Sequence, residues 1–92
     1  MIIGKVVGTV VSTRKHEALV GNKFLIVEPI ERMKAQAGDR LVAVDSVGAG
    51  ISDIVLVAMG SAARLACKNI ETPVDACIVG IVDDPQKIVI SE

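Results

Sequence analysis

The hydrophobic positions of this chain fall into short runs rich in β-branched residues, and glycine, proline or polar segments interrupt each run. Runs of this kind, bounded by turn-forming residues, are typical of β-strands. They predict strands over residues 2–12, 23–29, 40–45, 54–59 and 76–84. A final short strand is predicted at 86–91, where it would pair with its predecessor or with a neighbouring subunit.

One segment carries a good helix signal. Ser61 is a suitable N-cap residue, and residues 62–68 behind it are acceptable or good helix formers. Lys68 falls in the predicted last turn, where a positive charge interacts favourably with the helix dipole. A helix of about two turns is not stable alone in water. Residues 30–38 are predicted to form a polar connection that ends at a Gly-Asp turn.

Five or six short strands, with one short α-helix before the last long strand, predict a mainly β protein. The expected fold is a small OB-like antiparallel β-barrel, and the 92 residues are long enough for one domain, 1–92, only. Gly4 and Gly8 lie four positions apart on one face of the first strand. We expect them to permit bending or close backbone approach, as at a barrel corner.

Composition points to an oligomer. Hydrophobic residues make up 51% of the chain, yet it has one Phe and no Trp or Tyr. A small domain has a large surface for its volume, so it cannot easily bury that much aliphatic side chain alone. We therefore expect an apolar patch buried against another subunit. The alternative is a monomer with an unusually aliphatic core.

Several classes of partner find no support in the sequence. The longest glycine-free apolar run covers residues 54–59, far short of the roughly 20 residues of a membrane-spanning helix. The first residues lack the features of a signal peptide, so we expect a cytosolic protein. A net charge of −1, with Phe24 as the sole aromatic residue, gives neither the basic groove nor the stacking platform that binds nucleic acid.

Residues able to carry out chemistry are few and scattered. His16 is the single histidine, and Cys67 and Cys77 lie too far apart for a CxxC motif. One histidine and two cysteines are too few and too dispersed for a metal site. We interpret both cysteines as small core residues. The carboxylates that stand at turns are interpreted as caps of backbone N–H groups; they are Asp45, Asp53, Asp83 and Asp84. We predict no catalytic residue, no bound metal and no cofactor.

A glycine-rich loop separates the third and fourth predicted strands. Its segment Val47-Gly48-Ala49-Gly50 lacks the Lys-Ser/Thr pair of a phosphate-binding loop, and no long helix follows it directly. Backbone N–H groups of such a loop can cradle an anion in principle. The firmer implication is geometric, because two residues without side chains allow tight turns or close packing of neighbouring backbones.

The region from this loop to the helix resembles the EutN/CcmL family. The resemblance begins with Asp45-Ser46-Val47-Gly48-Ala49-Gly50 and continues through Asp53, the strand 54–59 and Gly60-Ser61-Ala62-Ala63-Arg64. Further matching segments extend it over nearly the whole chain, namely 8–13, 73–75 and 79–83. Two positions depart mildly from the common pattern: Ala62 stands where the family often has Ser, and Asp53 where it often has Glu.

Members of this family are the pentameric vertex proteins of carboxysomes and of ethanolamine- or propanediol-type metabolosomes. The resemblance therefore implies an OB-like barrel of which five copies form a ring. It implies a structural, non-enzymatic protein that closes the corners of a polyhedral bacterial microcompartment in the cytoplasm. Its expected partners are further copies of itself and the hexameric shell proteins, with no nucleic acid and no membrane.

The resemblance also suggests where functional residues lie. We expect the loop Ser46, Val47, Gly48, Ala49 and Gly50 near the fivefold axis, where glycines let five backbones converge. We expect Asp45, Arg64 and Asp75 at the subunit interface, with Arg64 bridging to one of the two carboxylates within or between subunits. The alternative for Arg64 is a solvated helix residue.

Two other functions compete with the shell vertex. A ring-shaped co-chaperonin is also a small β-barrel, and Ala18-Leu19-Val20 superficially resembles the apolar tripeptide of a mobile loop. Subunit count separates the two, since five favours the vertex and seven the co-chaperonin. The third possibility is a small-molecule-binding or enzymatic barrel that uses the glycine loop and its carboxylates.

Overall fold

The computed structural model describes residues 1–11, 23–66 and 75–91. It contains five strands, which confirm the first five predicted from the sequence. They are β1 (Ile2–Val10), β2 (Lys23–Pro29), β3 (Leu41–Asp45), β4 (Ile54–Met59) and β5 (Ala76–Val82). Two short helices accompany them, α1 (Lys34–Ala37) and α2 (Ser61–Ala66).

The strands close into a barrel in the order β1-β2-β3-β5-β4. Every neighbouring pair is antiparallel except β3 and β5, which run parallel and pair through Val44 with Cys77 and Asp45 with Ile78. The predicted barrel is confirmed, but a wholly antiparallel one is impossible with five strands. Directions that alternate around a closed ring of odd number must repeat once, and here the repeat falls between β3 and β5.

The barrel interior is filled by medium-sized aliphatic side chains. Alternate strand residues point inward, and the fully buried ones include Val6, Leu25, Val27, Val55, Val57 and Ile78. A five-stranded barrel encloses a narrow space that such side chains fill without aromatic rings. This geometry accounts for the aliphatic residues of the barrel interior.

Gly4 is required where β1 crosses close to β2. A Cβ atom at this position would lie 2.5 Å from Cγ1 of Val27 and 2.8 Å from the backbone oxygen of Glu28. No side chain fits at those distances, so the close approach predicted for this glycine is confirmed. A β-bulge between Val6 and Gly8 shifts the register just beyond it, and bulges bend strands where barrels curve.

Helix α2 packs on the outside of the barrel over β3 and β5. Its Ala63 forms a buried cluster with Val44 and Cys77, and Phe24 and Val79 are partly buried against that cluster. The predicted helix is confirmed over residues 61–66, and its expected continuation to 68 lies outside the described residues. Because the helix begins at Ser61, the cap position falls on Gly60, whose carbonyl accepts the N–H of Ala63 at 3.1 Å.

The segment 30–38 is more ordered than its polar sequence predicts. A 3-10 turn, Glu31–Met33, leads into α1, and Met33 and Ala37 pack against the core. The Sδ atom of Met33 accepts the N–H of Ile3 at 3.1 Å. The prediction of a polar connection did not include these two helices, which form where two apolar residues four positions apart pack against the barrel core.

Lys34 binds two carboxylates beside this segment. Its Nζ atom lies 3.1 Å from Glu28 and 3.0 Å from Glu31. The hydrogen bond and charge of Lys34 hold the pKa of Glu28 below its usual value, and the two carboxylates raise the pKa of Lys34. A depressed carboxylate pKa stabilises the fold above the unfolded-state pKa and loses that contribution as pH falls through the folded-state value.

The predicted sixth strand at 86–91 is absent. A 3-10 turn, Pro85–Lys87, follows β5, and the residues after it form no strand. Pairing with the predecessor was a wrong prediction, because the described ladders of β5 are formed with β4 and β3 and not with residues 86–91. Val89 and Ile90 are consequently 84% and 51% exposed.

Candidate functional site

The glycine-rich loop between β3 and β4, residues 46–53, is fastened to the barrel at both of its ends. The Ser46 hydroxyl donates to the carbonyl of Ile78 in β5 at 2.6 Å. At the other end, Ser52 N donates to the Val6 carbonyl at 2.8 Å, and Val6 N donates to the Asp53 carbonyl at 2.9 Å. The loop therefore continues the hydrogen-bonding pattern of its neighbours and has a defined conformation.

Asp53 fixes the second half of the loop from within. Its Oδ2 atom accepts the N–H of Gly50 at 2.8 Å, and its own N–H donates to the Gly50 carbonyl at 3.1 Å. Ala49, just before this turn, is completely buried in the core. The interpretation of Asp53 as a cap of backbone N–H groups is confirmed.

Asp45 supports the first half of the loop together with Lys23, which was not among the predicted site residues. Its side chain is only 3% exposed, with Oδ1 accepting the N–H of Val47 at 3.1 Å and Oδ2 3.6 Å from Lys23 Nζ. Lys23 also donates to the carbonyl of Ala49. Lys23 and Asp45 face each other in the β2–β3 register, so an opposite charge at the facing end of a neighbouring strand was the available signal.

The outer surface of the loop is uncharged. Val47 is 42% exposed, and Ile51 is also largely exposed. Gly48 has φ +81°, a conformation that L side chains rarely adopt, so the turn itself requires glycine. Gly50 is different, because its φ is not in the left-handed region and a Cβ there would meet only Oδ2 of Asp53, at 3.9 Å. Within a single described chain, space does not require glycine at this position.

The three expected interface residues are placed differently. Asp45 is paired within its own chain, as described above. Asp75 is exposed at the start of β5, where its carbonyl accepts the N–H of Gly60 at 2.8 Å and joins β5 to the start of α2. Arg64 lies in α2, but its side chain is outside the described residues. A bridge from Arg64 to either carboxylate remains a prediction.

The described part of the chain contains neither a cluster of metal ligands nor a helix that could span a membrane. Within residues 1–11, 23–66 and 75–91, no group of three or more His, Cys, Asp or Glu side chains is arranged to hold a metal ion. Over the same ranges, no helix has both the length and the apolar character needed to cross a bilayer. Cys77 is buried beneath α2, whereas His16 and Cys67 lie outside the described residues.

Known proteins resemble this chain in both sequence and fold. The sequence model of the family described as "Ethanolamine utilisation protein EutN/carboxysome" matches residues 1–83. The chain belongs to this family. It is similar to the bacterial microcompartment shell vertex protein GrpN of Rhodospirillum rubrum, at 44% identity over 88 residues, which cover 96% of this chain and 99% of GrpN.

A second family member is the carboxysome shell vertex protein CcmL of a Synechocystis species. This chain is 50% identical to it over 84 residues, which cover 90% of this chain and 83% of CcmL. Among solved structures, the GrpN pentameric microcompartment shell protein from Rhodospirillum rubrum has the same fold. Its TM-score is 0.74 at 46% identity, with 91% of this chain and 94% of that chain covered.

Proposed function

We propose that this chain is a structural subunit that forms homopentamers at the vertices of a polyhedral bacterial microcompartment in the cytoplasm. The observation that carries the proposal is its 44% identity over 88 residues to the shell vertex protein GrpN, together with a barrel that matches a pentameric shell protein of that name. Both carboxysome and other microcompartment vertex proteins are among its relatives, so the proposal covers the shell role and leaves the cargo open.

The shell geometry explains why a small ring-forming subunit is needed. A flat layer of hexagonal tiles closes into a polyhedron only where fivefold positions interrupt it. Subunits with head-to-tail contacts form a closed ring when their rotation closes. The proposed partners are therefore identical copies of this chain and the hexameric shell proteins that surround each vertex. In this role the chain acts by assembly, without catalysis and without a cofactor.

The glycine loop is proposed to lie near the fivefold axis. Its fastening to β1 and β5 gives it a defined shape before assembly, and its exposed surface carries no charge that would repel its own copies. Gly50 supports this placement, because no crowding within the chain explains the missing side chain. Convergence of several loops at an axis would explain it.

Native mass spectrometry of the purified protein tests the proposed function, with a mass of five chains as the expected result. A monomer would contradict the ring. A heptamer would favour the co-chaperonin hypothesis, whose characteristic segment 14–22 lies outside the described residues.

Substitution of Gly50 by Trp tests the axis placement. We expect Gly50→Trp to fold, because an added Cβ there would meet only Oδ2 of Asp53, at 3.9 Å, and to lose the pentamer, because five indole rings would meet at the axis. Gln36→Trp, at an exposed position of α1, is the matched control and should remain pentameric. An intact Gly50→Trp pentamer would exclude crowding at the axis.

A further inference from the structure

The last described residues of the chain, 88–91, leave two large aliphatic side chains exposed. Ile88 is partly buried, whereas Val89 is 84% exposed and Ile90 51% exposed. Two neighbouring aliphatic side chains of this segment therefore face solvent. In the described part of the chain, the last backbone hydrogen bond joins Lys87 N to the Asp84 carbonyl at 2.9 Å. We call residues 88–91 the C-terminal arm.

The sequence of the arm is unsuited to permanent exposure. Terminal segments that stay in solvent are typically rich in polar residues and poor in β-branched ones. The arm instead begins with three consecutive β-branched aliphatic residues, Ile88-Val89-Ile90, directly after polar Gln86 and Lys87. Such a segment has a strong preference for extended structure paired with another strand or buried against an apolar surface.

A matching surface is present on the outer face of β3. Val42 is 51% exposed although it is the second residue of β3, and it pairs with the partly buried Ile26 of β2. In the described ladders, Leu41, Val42 and Ala43 pair with β2 on one side, whereas β5 pairs only with Val44 and Asp45 on the other. The exposed Val42 side chain offers an apolar contact to an extended peptide laid along this strand.

We propose that the C-terminal arm of each copy lies along β3 of the adjacent copy in the ring and packs against Val42. The proposal rests on the homopentamer of the proposed function. Each copy would donate one arm and receive one, which is the head-to-tail arrangement that a closed ring requires. A second copy of this chain is the natural occupant, because donor and acceptor are both exposed on one chain whose solved relative is pentameric.

Val89→Asp tests whether the arm stabilises the pentamer, and Gln36→Asp is the matched control. Both substitutions add one negative charge at an exposed position, but only the first alters the arm. Native mass spectrometry over a dilution series should show Val89→Asp requiring an at least tenfold higher concentration to form the pentamer. Gln36→Asp should assemble as the wild type does, and unchanged far-UV circular dichroism of the dissociated chains will show that both fold.

The location of the arm is tested by a disulfide between copies. In a Cys67→Ala background, the double variant Val42→Cys/Val89→Cys should give, after mild oxidation, a ladder of covalent species from dimer to pentamer on a non-reducing gel. Head-to-tail contacts extend such a ladder, whereas a symmetric pair of contacts would stop at the dimer. The single variants Val42→Cys and Val89→Cys should give no ladder.

The outcomes separate this proposal from the one on which it rests. If the wild type is monomeric, the proposed function itself fails. If the wild type is pentameric and Val89→Asp assembles at the same concentration, the arm has no role in the ring and the inference is overturned. An intact pentamer of the double-cysteine variant without a ladder would overturn the assignment of the arm to Val42.

Discussion

Two exposed segments of this protein, the glycine loop 46–53 and the C-terminal arm 88–91, are held in opposite ways. Both present aliphatic side chains to solvent, Val47 and Ile51 in the loop and Val89 and Ile90 in the arm. The loop is bonded to β1 and β5 through Ser46, Ser52 and Asp53. The arm has no comparable attachment in the described part of the chain.

This difference separates two ways of building a contact between copies. A segment that is already ordered loses little conformational entropy when it meets a partner, whereas a free segment must be ordered at that moment. The loop is therefore suited to positions where several copies must meet with a fixed shape. The arm is suited to reaching a neighbour and adding contact area to the ring. Mutations that loosen the loop, or remove the arm, examine this contrast directly.

Asp53→Ala should have the largest effect on the stability of the single chain. It removes the acceptor of the Gly50 N–H, and a part-buried donor without a partner destabilises the fold by about 1–3 kcal/mol. Denaturant unfolding at fixed protein concentration measures the change. Asp39→Ala removes the same charge at an exposed position and should be close to neutral. Equal unfolding midpoints for the two variants would mean that the Asp53 carboxylate does not hold the loop.

Ser46→Ala should have a smaller effect. The hydroxyl makes one hydrogen bond to the Ile78 carbonyl at 2.6 Å, and the net contribution of such a bond is about 0.5–1.5 kcal/mol. The same unfolding measurement applies, with Ser91→Ala in the exposed arm as the control. A loss no larger than that of Ser91→Ala would indicate that the start of the loop is held by Asp45 and Lys23 instead.

Removal of residues 89–92 should have the smallest effect on the barrel. Because Val89 and Ile90 are exposed in the single chain, the free energy of unfolding at a concentration where the chain is monomeric should change by less than about 0.5 kcal/mol. A larger loss would show that the arm packs on its own barrel, and the contrast between loop and arm would then disappear.

The sequence predicts the barrel better than it predicts its ends. Short β-branched runs bounded by turn residues located all five strands, because periodicity and turn chemistry are local properties. Helix α1 was missed because its main stabilising contacts, between Met33, Ala37 and the core, are distant in sequence. The sixth strand was predicted wrongly for a related reason: a local preference for extended structure does not say whether an edge is available.

The candidate site was likewise predictable only where it depends on residues close together in sequence. The role of Asp53 as a cap follows from its spacing to Gly50, and the family resemblance is confirmed by the match over residues 1–83. The partnership of Lys23 with Asp45 depends on the β2–β3 register, which joins residues distant in sequence. Whether Ser46–Gly50 lies at an axis is a property of the assembly, and neither the sequence nor a single chain contains that information.

The odd number of strands has a consequence for the dynamics of the barrel. It creates one parallel junction, at which two residue pairs join the strands in the described part of the chain, Val44 with Cys77 and Asp45 with Ile78. Amide hydrogen exchange in native proteins reports such weakly paired regions, because they open without global unfolding. Among the strands, we expect the amide hydrogens of β3 and β5 at this parallel junction to exchange first. The Ser46 hydroxyl donates to the carbonyl of Ile78, next to the Asp45–Ile78 pair, and so adds one hydrogen bond across this junction.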